Sequence, residues 1–231
     1  MRWRGLLFAH WPIDLDVLRP LVPAGLEIDT FDGRAYLGIV PFGMEDVAPR
    51  GLPAVPGLST FPEVNVRTYV RHADLAGIWF LSLDAASRLT VEGARVAFHL
   101  PYFLASMTMD RQGADVVYRS ERVDRRGPPA ILDAWYRPTG PVVAAAPGSL
   151  EAWLTARFRL FAVDGQGRLS RTEIRHATWP LQPAEGELEA DSLAAAHGIG
   201  LPESAPHLLF AERLDVRAWW PRPVADAGQV P

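Results

Sequence analysis

The sequence predicts a mainly β, α+β fold in which a curled antiparallel β-barrel carries two to four short helices. About ten short runs have the alternation or the β-branched content of strands, and few of them occur in strand-helix-strand order. Turn signals such as Asp32-Gly33 and Gln112-Gly113 separate successive runs. The chain has 231 residues, 48% of them apolar, so it can bury a sizeable core. A small ligand would bind in the interior of such a barrel.

The N-terminal part predicts a strand, a short helix and a hairpin. We expect a strand over residues 4–10, then a helix of about two turns that Asp14 caps and that Pro20 and Pro23 end. Strands over residues 26–28 and 35–42 flank the Asp32-Gly33 turn. Residues 48–60 hold three prolines and two glycines, which predicts a long loop of the kind that forms a lid or a site wall.

The rest of the chain predicts a single domain over residues 1–220, followed by a frayed tail over residues 221–231. The expected strands are 61–70, 78–83, 102–109, 114–123, 131–137, 157–163, 168–176 and 208–219, with an antiparallel meander in the middle. The expected helices are 87–98, a short one capped by Ser149 that runs through Ala156, and 187–197, closed by Gly198 after a link at residues 180–183. Asp84 is either a helix N-cap or a buried partner for an arginine.

Composition excludes several classes of function. The net charge of −4 gives no basic field for nucleic acid or an anionic membrane. The absence of cysteine excludes thiolate metal sites, and the six histidines are scattered without metal-binding spacing, so we expect neither a metal nor another cofactor. No run approaches a membrane span and the N-terminus lacks a signal-peptide pattern, so we expect a cytoplasmic protein. A homo-oligomer is compatible with this composition.

Lysine is also absent, because all 23 basic residues are arginine. A GC-rich genome explains this bias, as it explains the abundance of alanine, glycine and proline. Whatever its origin, the bias has a chemical consequence: no side chain can form a Schiff base with a carbonyl substrate, and the α-amine of Met1 is the one primary amine left.

The strand over residues 61–70 is the strongest candidate for a site. Glu63, Asn65, Arg67 and Tyr69 fall on one face, while three valines and a threonine occupy the other. The apolar face can pack on a core. The polar face is then either solvated surface or the wall of a polar pocket.

Four segments carry a resemblance to a known family. They are residues 6–12 (LLFAHWP), 18–29 (LRPLVPAGLEID), 61–70 (FPEVNVRTYV) and 80–85 (FLSLDA). The chain resembles the YqjF-like family of uncharacterised proteins, domain of unknown function 2071, over nearly its whole length. That family is distantly similar to acetoacetate decarboxylase, and the resemblance implies a decarboxylase-like curled antiparallel barrel with a central apolar cavity.

The same resemblance implies the positions of site residues. Arg4 corresponds to the decarboxylase's active-site arginine and Glu63 to its active-site glutamate. Tyr102 occupies the place of the catalytic lysine, and Phe103 that of a second lysine. Decarboxylation through an iminium needs a primary amine, which a phenol cannot supply.

Three hypotheses follow. In the first, the protein binds a small carboxylic or keto acid through Arg4, Glu63, Arg67 and Tyr102, without Schiff-base chemistry. In the second, it is a lyase or hydratase in which Glu63 is the general base and Tyr102 or His99 the acid. In the third, it is a structural or interaction protein whose own side chains fill the cavity.

Overall fold

A computed structural model describes residues 1–48 and 59–224 of the chain. It confirms the mainly β prediction, with thirteen strands and four short α-helices in the described residues. The strands are β1 Arg2–Ile13, β2 Glu27–Ile28, β3 Ala35–Glu45, β4 Phe61–His72, β5 Leu75–Ala85, β6 Tyr102–Gln112, β7 Asp115–Arg122, β8 Ile131–Pro138, β9 Arg159–Val163, β10 Leu169–His176, β11 Leu181–Glu189, β12 His207–Ala218 and β13 Arg222–Pro223. The helices are α1 Leu15–Leu18, α2 Arg88–Phe98, α3 Leu150–Thr155 and α4 Asp191–Ala195.

The strands form one sheet in the order β13-β10-β9-β5-β6-β7-β8-β11-β12-β1-β3-β4-β2. Two further pairings, β4 with β5 and β10 with β12, bring distant parts of this order together. The sheet therefore curls back on itself instead of forming a regular barrel. Neighbouring strands are antiparallel, except that β5 runs parallel to both β6 and β9. Strands β6, β7 and β8 form the predicted antiparallel meander.

The curled sheet has two main cores, one on each face of β1, β3 and β4. We call the first the α3-side core; it includes Leu6, Phe8, Phe42, Tyr69 and Leu154 of α3. The second, the α4-side core, includes Leu7, Ala9, Val64, Val66 and Leu193 of α4. Alternate residues of a strand point to opposite faces, so these central strands are buried on both sides.

Local sequence signals explain the helix ends. In α2, the Ser87 hydroxyl accepts a hydrogen bond from the Thr90 N–H at 3.3 Å, and His99 ends the helix with a left-handed φ of 54°. In α3, Ser149 accepts from the Ala152 N–H at 3.2 Å. Asp14 occupies the N-cap position of α1 without a side-chain hydrogen bond, and the helix continues as a short 3-10 turn over Arg19–Leu21.

The predicted helix over residues 187–197 is wrong for most of its length. Residues 181–189 form strand β11, which includes residues 181–183 of the predicted link, and only Asp191–Ala195 is helical in the predicted range. Glutamates at 185, 187 and 189 alternate with less polar residues, which is a strand pattern with one solvated face. Gly186 lets the backbone of β8 approach closely, because a Cβ at this position would collide with the Trp135 carbonyl and with Tyr136.

Of the two interpretations of Asp84, the structure shows the buried ion pair. Its carboxylate oxygens accept hydrogen bonds from Arg122 Nε at 2.7 Å and Nη2 at 2.8 Å, and both side chains are 1% exposed. Most of the predicted loop over residues 48–60, namely 49–58, lies outside the described residues. At the C-terminus, Arg222 and Pro223 pair with β10, and residues 225–231 of the expected tail lie outside the described part.

Candidate functional site

The polar face of β4 is buried in the α3-side core. Glu63, Asn65 and Arg67 are 3%, 4% and 7% exposed, so this face is not solvated surface. Their cross-strand neighbours on β3 and β5, such as Phe42, Val40 and Leu83, are apolar members of the same core. Buried polar groups must find partners in the protein, in water or in a ligand, so each of these side chains has to be accounted for.

Glu63 and Tyr102 form a buried pair. The Tyr102 hydroxyl donates to Glu63 Oε2 at 2.9 Å, and the parallel pairing of β6 with β5 places Tyr102 beside Leu83. Burial raises the pKa of Glu63 to about 8, although the hydrogen bond from Tyr102 acts in the opposite direction. Burial and the neighbouring Glu63 raise the pKa of Tyr102 well above its usual value. At neutral pH the pair therefore consists of a carboxylic acid and a phenol, both of which can donate a proton.

A second polar cluster lies farther along the same face. The Tyr69 hydroxyl is 2.6 Å from His10 Nε2 and accepts a hydrogen bond from Arg67 Nη2 at 3.3 Å. Gly38 provides the space, because a Cβ on it would lie 3.0 Å from His10 Nε2 and 3.3 Å from Arg67 Cγ. Burial, and then the positive charge of Arg67, lower the pKa of His10 well below its usual value, so His10 is neutral.

Several atoms of this cluster lack partners. Arg67 Nε, His10 Nδ1 and Asn65 Oδ1 are buried and make no hydrogen bond within residues 1–48 and 59–224. In the same ranges Arg67 makes no ion pair, whereas the other fully buried arginines, Arg122 and Arg157, are paired with carboxylates. A guanidinium stays charged in proteins, and a buried charge without a counter-ion is costly. The face is therefore suited to an anion with a polar group close by.

The structure does not bring Arg4 to these residues. Arg4 is opposite Gly43 on β3 and lies on the other face of the sheet from Glu63, with its side chain 42% exposed and its Nε 2.9 Å from Glu45 Oε1. Gly5 causes the change of face: its φ is +55°, and β1 has one extra residue relative to β3 between residues 4 and 9. Strict alternation from Leu6 and Phe8 would have placed Arg4 in the α3-side core.

His99 and Phe103 also lie apart from the Glu63-Tyr102 pair. His99 is exposed at the end of α2 and lines an outer cleft with His197. The ring of Phe103 lies 4.1 Å from the Arg122 guanidinium carbon, in a cation-π contact. Of the residues expected at the site, Glu63, Arg67 and Tyr102 share the α3-side core, whereas Arg4 and His99 do not.

Sequence reasoning missed His10 and Gly38, and it noted Tyr69 only as a member of the polar face. His10 follows Leu6 and Phe8 at a spacing of two, which indicates a position on the same face of β1. This spacing is the sequence feature that could have placed His10 at the site. Nothing in the sequence indicated that Gly38 would lie between His10 and Arg67, because this depends on the register of β1, β3 and β4.

Within the described ranges, no group of three or more histidines and acidic residues is placed to hold a metal ion. The four helices there are all too short or too polar to cross a membrane.

Comparisons with known proteins agree with this architecture. Residues 1–215 match the family DUF2071, described as an uncharacterized conserved protein. The uncharacterized protein YqjF of Bacillus subtilis is 44% identical over 217 residues, which are 94% of this chain and 88% of YqjF. Acetoacetate decarboxylase from Legionella pneumophila superposes with a TM-score of 0.68 at 13% identity, over 98% of this chain and 88% of that structure. The enduracididine biosynthesis enzyme MppR gives 0.72 at 13% identity, with the same coverage. The chain therefore belongs to the DUF2071 family and has an acetoacetate decarboxylase-like fold.

Proposed function

We propose that this DUF2071 protein binds a small carboxylic or keto acid in the α3-side core, without Schiff-base chemistry. The observation that carries the proposal is Arg67, a buried guanidinium with an unpartnered Nε and no carboxylate partner in the described part of the chain. A carboxylate ligand would supply the missing charge and accept two parallel hydrogen bonds from the guanidinium.

The neighbours of Arg67 extend this site. The unpartnered Nδ1 of His10 suits a second ligand oxygen, and the unpartnered Oδ1 of Asn65 suits a ligand hydroxyl. Glu63 of the Glu63-Tyr102 pair lies four residues before Arg67 on β4. At about 3.3 Å per residue, the Cα atoms of Glu63 and Arg67 are about 13 Å apart. A ligand whose carboxylate binds Arg67 would direct its carbonyl end towards Glu63. When Glu63 is neutral, its carboxyl O–H can donate a hydrogen bond.

Structural relatives support the proposed class of ligand. One structure of the same fold is the enzyme MppR complexed with pyruvate, at 13% identity and a TM-score of 0.68. In this chain the position expected for the catalytic lysine is Tyr102, and no lysine exists elsewhere. An acid that binds here would therefore form no iminium with a side chain.

A second candidate function is a lyase or hydratase, which the Glu63-Tyr102 contact favours. The pKa of Glu63, raised to about 8, makes it a proton donor below that pH and a base above it. Tyr102 is the residue in contact with Glu63, whereas His99 lies on the outer surface. Proton transfer at this pair would thus involve Glu63 and Tyr102, and His99 would play no direct part.

The experiment is a titration of the protein with pyruvate and a panel of small carboxylic acids. Binding is measured by calorimetry and by the shift in melting temperature. We expect Arg67→Gln to weaken binding about 10- to 100-fold, because a hydrogen bond to a charged group contributes about 1.5–3 kcal/mol. Arg4→Gln is the matched control and should bind as the wild type does. Equal losses in both variants, or no binding of any acid in the panel, would refute the proposal and favour a core filled by the protein's own side chains.

A further inference from the structure

One edge of β5 changes partner along its length. Ile78 and Trp79 pair with β9, and Leu83 to Ala85 pair with β6. Between them, residues 80–82 have no strand partner on this edge within the described part of the chain. The two partner strands thus leave an interruption in the sheet beside the middle of β5.

A cleft of about 320 Å³ lies at this interruption. Its wall includes Phe80 and Leu81 of β5, Val163 at the end of β9, and His99 and Pro101 just before β6. Leu81 packs on the α4-side core and Phe80 belongs to the α3-side core, so the cleft touches side chains from both faces of the sheet. The cleft is therefore bordered by residues of both cores.

Phe80 connects the cleft to the polar face of β4. It is the cross-strand neighbour of Arg67 in the pairing of β4 with β5, it is 9% exposed, and it also lines the cleft. Phe80 is therefore both a wall residue of the cleft and the cross-strand neighbour of Arg67. Ala162 of β9, another lining residue, is also a member of the α3-side core.

We infer that this cleft is the entry route by which a small acid reaches Arg67, and that the Phe80 ring must turn aside to admit it. The inference rests on the proposed function and adds the path and its controlling residue. An entry route differs from a binding site in its kinetics: an obstruction slows association and dissociation equally, so the equilibrium affinity is unchanged.

The absence of cysteine permits a direct test, since one introduced cysteine can be labelled selectively. Val163→Cys places a thiol in the wall of the cleft, and a bulky maleimide attached there would obstruct it. Val142→Cys, labelled in the same way, is the matched control, because Val142 is 58% exposed and lies outside the cleft wall. Pyruvate binding is followed by stopped-flow tryptophan fluorescence before and after labelling.

We expect labelled Val163→Cys to associate and dissociate at least 10-fold more slowly with an unchanged Kd, and labelled Val142→Cys to match its unlabelled form. Unchanged rates in labelled Val163→Cys would overturn the entry route alone. A Kd that weakens more than 10-fold would also overturn it, because the cleft would then be the binding site. Failure of the wild-type protein to bind any acid of the panel would overturn the proposed function and the route together.

Phe80→Leu gives a second test that needs no label. A smaller side chain at this position should raise both rates several-fold with little change in Kd, in a protein whose circular dichroism matches the wild type. Rates equal to those of the wild type would overturn the role of Phe80 even if the label disturbs the folding of Val163→Cys.

Discussion

The ionisation of Glu63 predicts a pH dependence of stability that can be measured without knowing the ligand. The pKa of Glu63 is about 8 in the folded protein and 4.5 in its ordinary, solvated state. The folded state therefore holds a proton that the unfolded state releases, and stability falls as the pH rises from 4.5 through 8. The difference of 3.5 pKa units corresponds to a loss of about 5 kcal/mol once the pH is well above 8, at about 1.36 kcal/mol per unit.

Glu63→Gln isolates this contribution. Glutamine has the shape of the protonated acid and its side-chain oxygen can accept the hydrogen bond from Tyr102, but it does not ionise. The free energy of unfolding of the variant, relative to the wild type, should therefore rise by about 3 to 4 kcal/mol between pH 5 and pH 8. Urea denaturation at several pH values measures this difference.

The control is Glu203→Gln, which removes an exposed carboxylate and should leave the difference from the wild type nearly constant with pH. A constant difference for Glu63→Gln as well would refute the reasoning. It would mean that Glu63 ionises in the folded protein as a solvated acid does, and that water reaches its carboxyl group.

Two further predictions concern the scaffold around the site. Asp84→Asn should lower the free energy of unfolding, measured by urea denaturation, by about 3–5 kcal/mol, because it leaves Arg122 charged and buried. The control Arg119→Gln breaks an exposed ion pair and should lower it by less than about 1 kcal/mol. A similar small loss in both variants would contradict this. Gly186→Ala should lower the melting temperature by at least about 5 °C, because a Cβ at residue 186 would collide with the backbone of β8. The control Gly200→Ala adds a Cβ in open space and should change the melting temperature by less than about 2 °C.

The sequence was sufficient for the features that depend on local periodicity. The alternation in β4 predicted two different faces, and the meander and the cap at Ser149 follow from short-range patterns. Periodicity did not decide whether the polar face of β4 is solvated, because this depends on which strands cover it. The burial of Glu63 beside Tyr102 is a long-range result, since the two residues are 39 positions apart.

Two differences between the structure and these expectations have the same physical origin. The helix predicted over residues 187–197 gave way to β11 because pairing with β8 and β12 outweighs local helix propensity. The position of Arg4 depends on a single backbone angle at Gly5, which reverses the face of every residue before it. A glycine within a strand is a signal for such a bulge.

The two ends of the polar face differ in charge, and this difference restricts the chemistry that the site can support. Arg67 carries a guanidinium, a group that stays charged in proteins, whereas Glu63 is neutral below about pH 8 and Tyr102 stays neutral to a higher pH. An acid in this core would therefore bind with its carboxylate at Arg67 and direct its uncharged end towards Glu63. In a Schiff-base enzyme a cationic iminium would stand at the second end and draw electrons from the bond that breaks. Here the groups that the described residues place at the second end, Glu63 and Tyr102, offer hydrogen bonds, which can polarise a carbonyl or move a proton but cannot replace that cation.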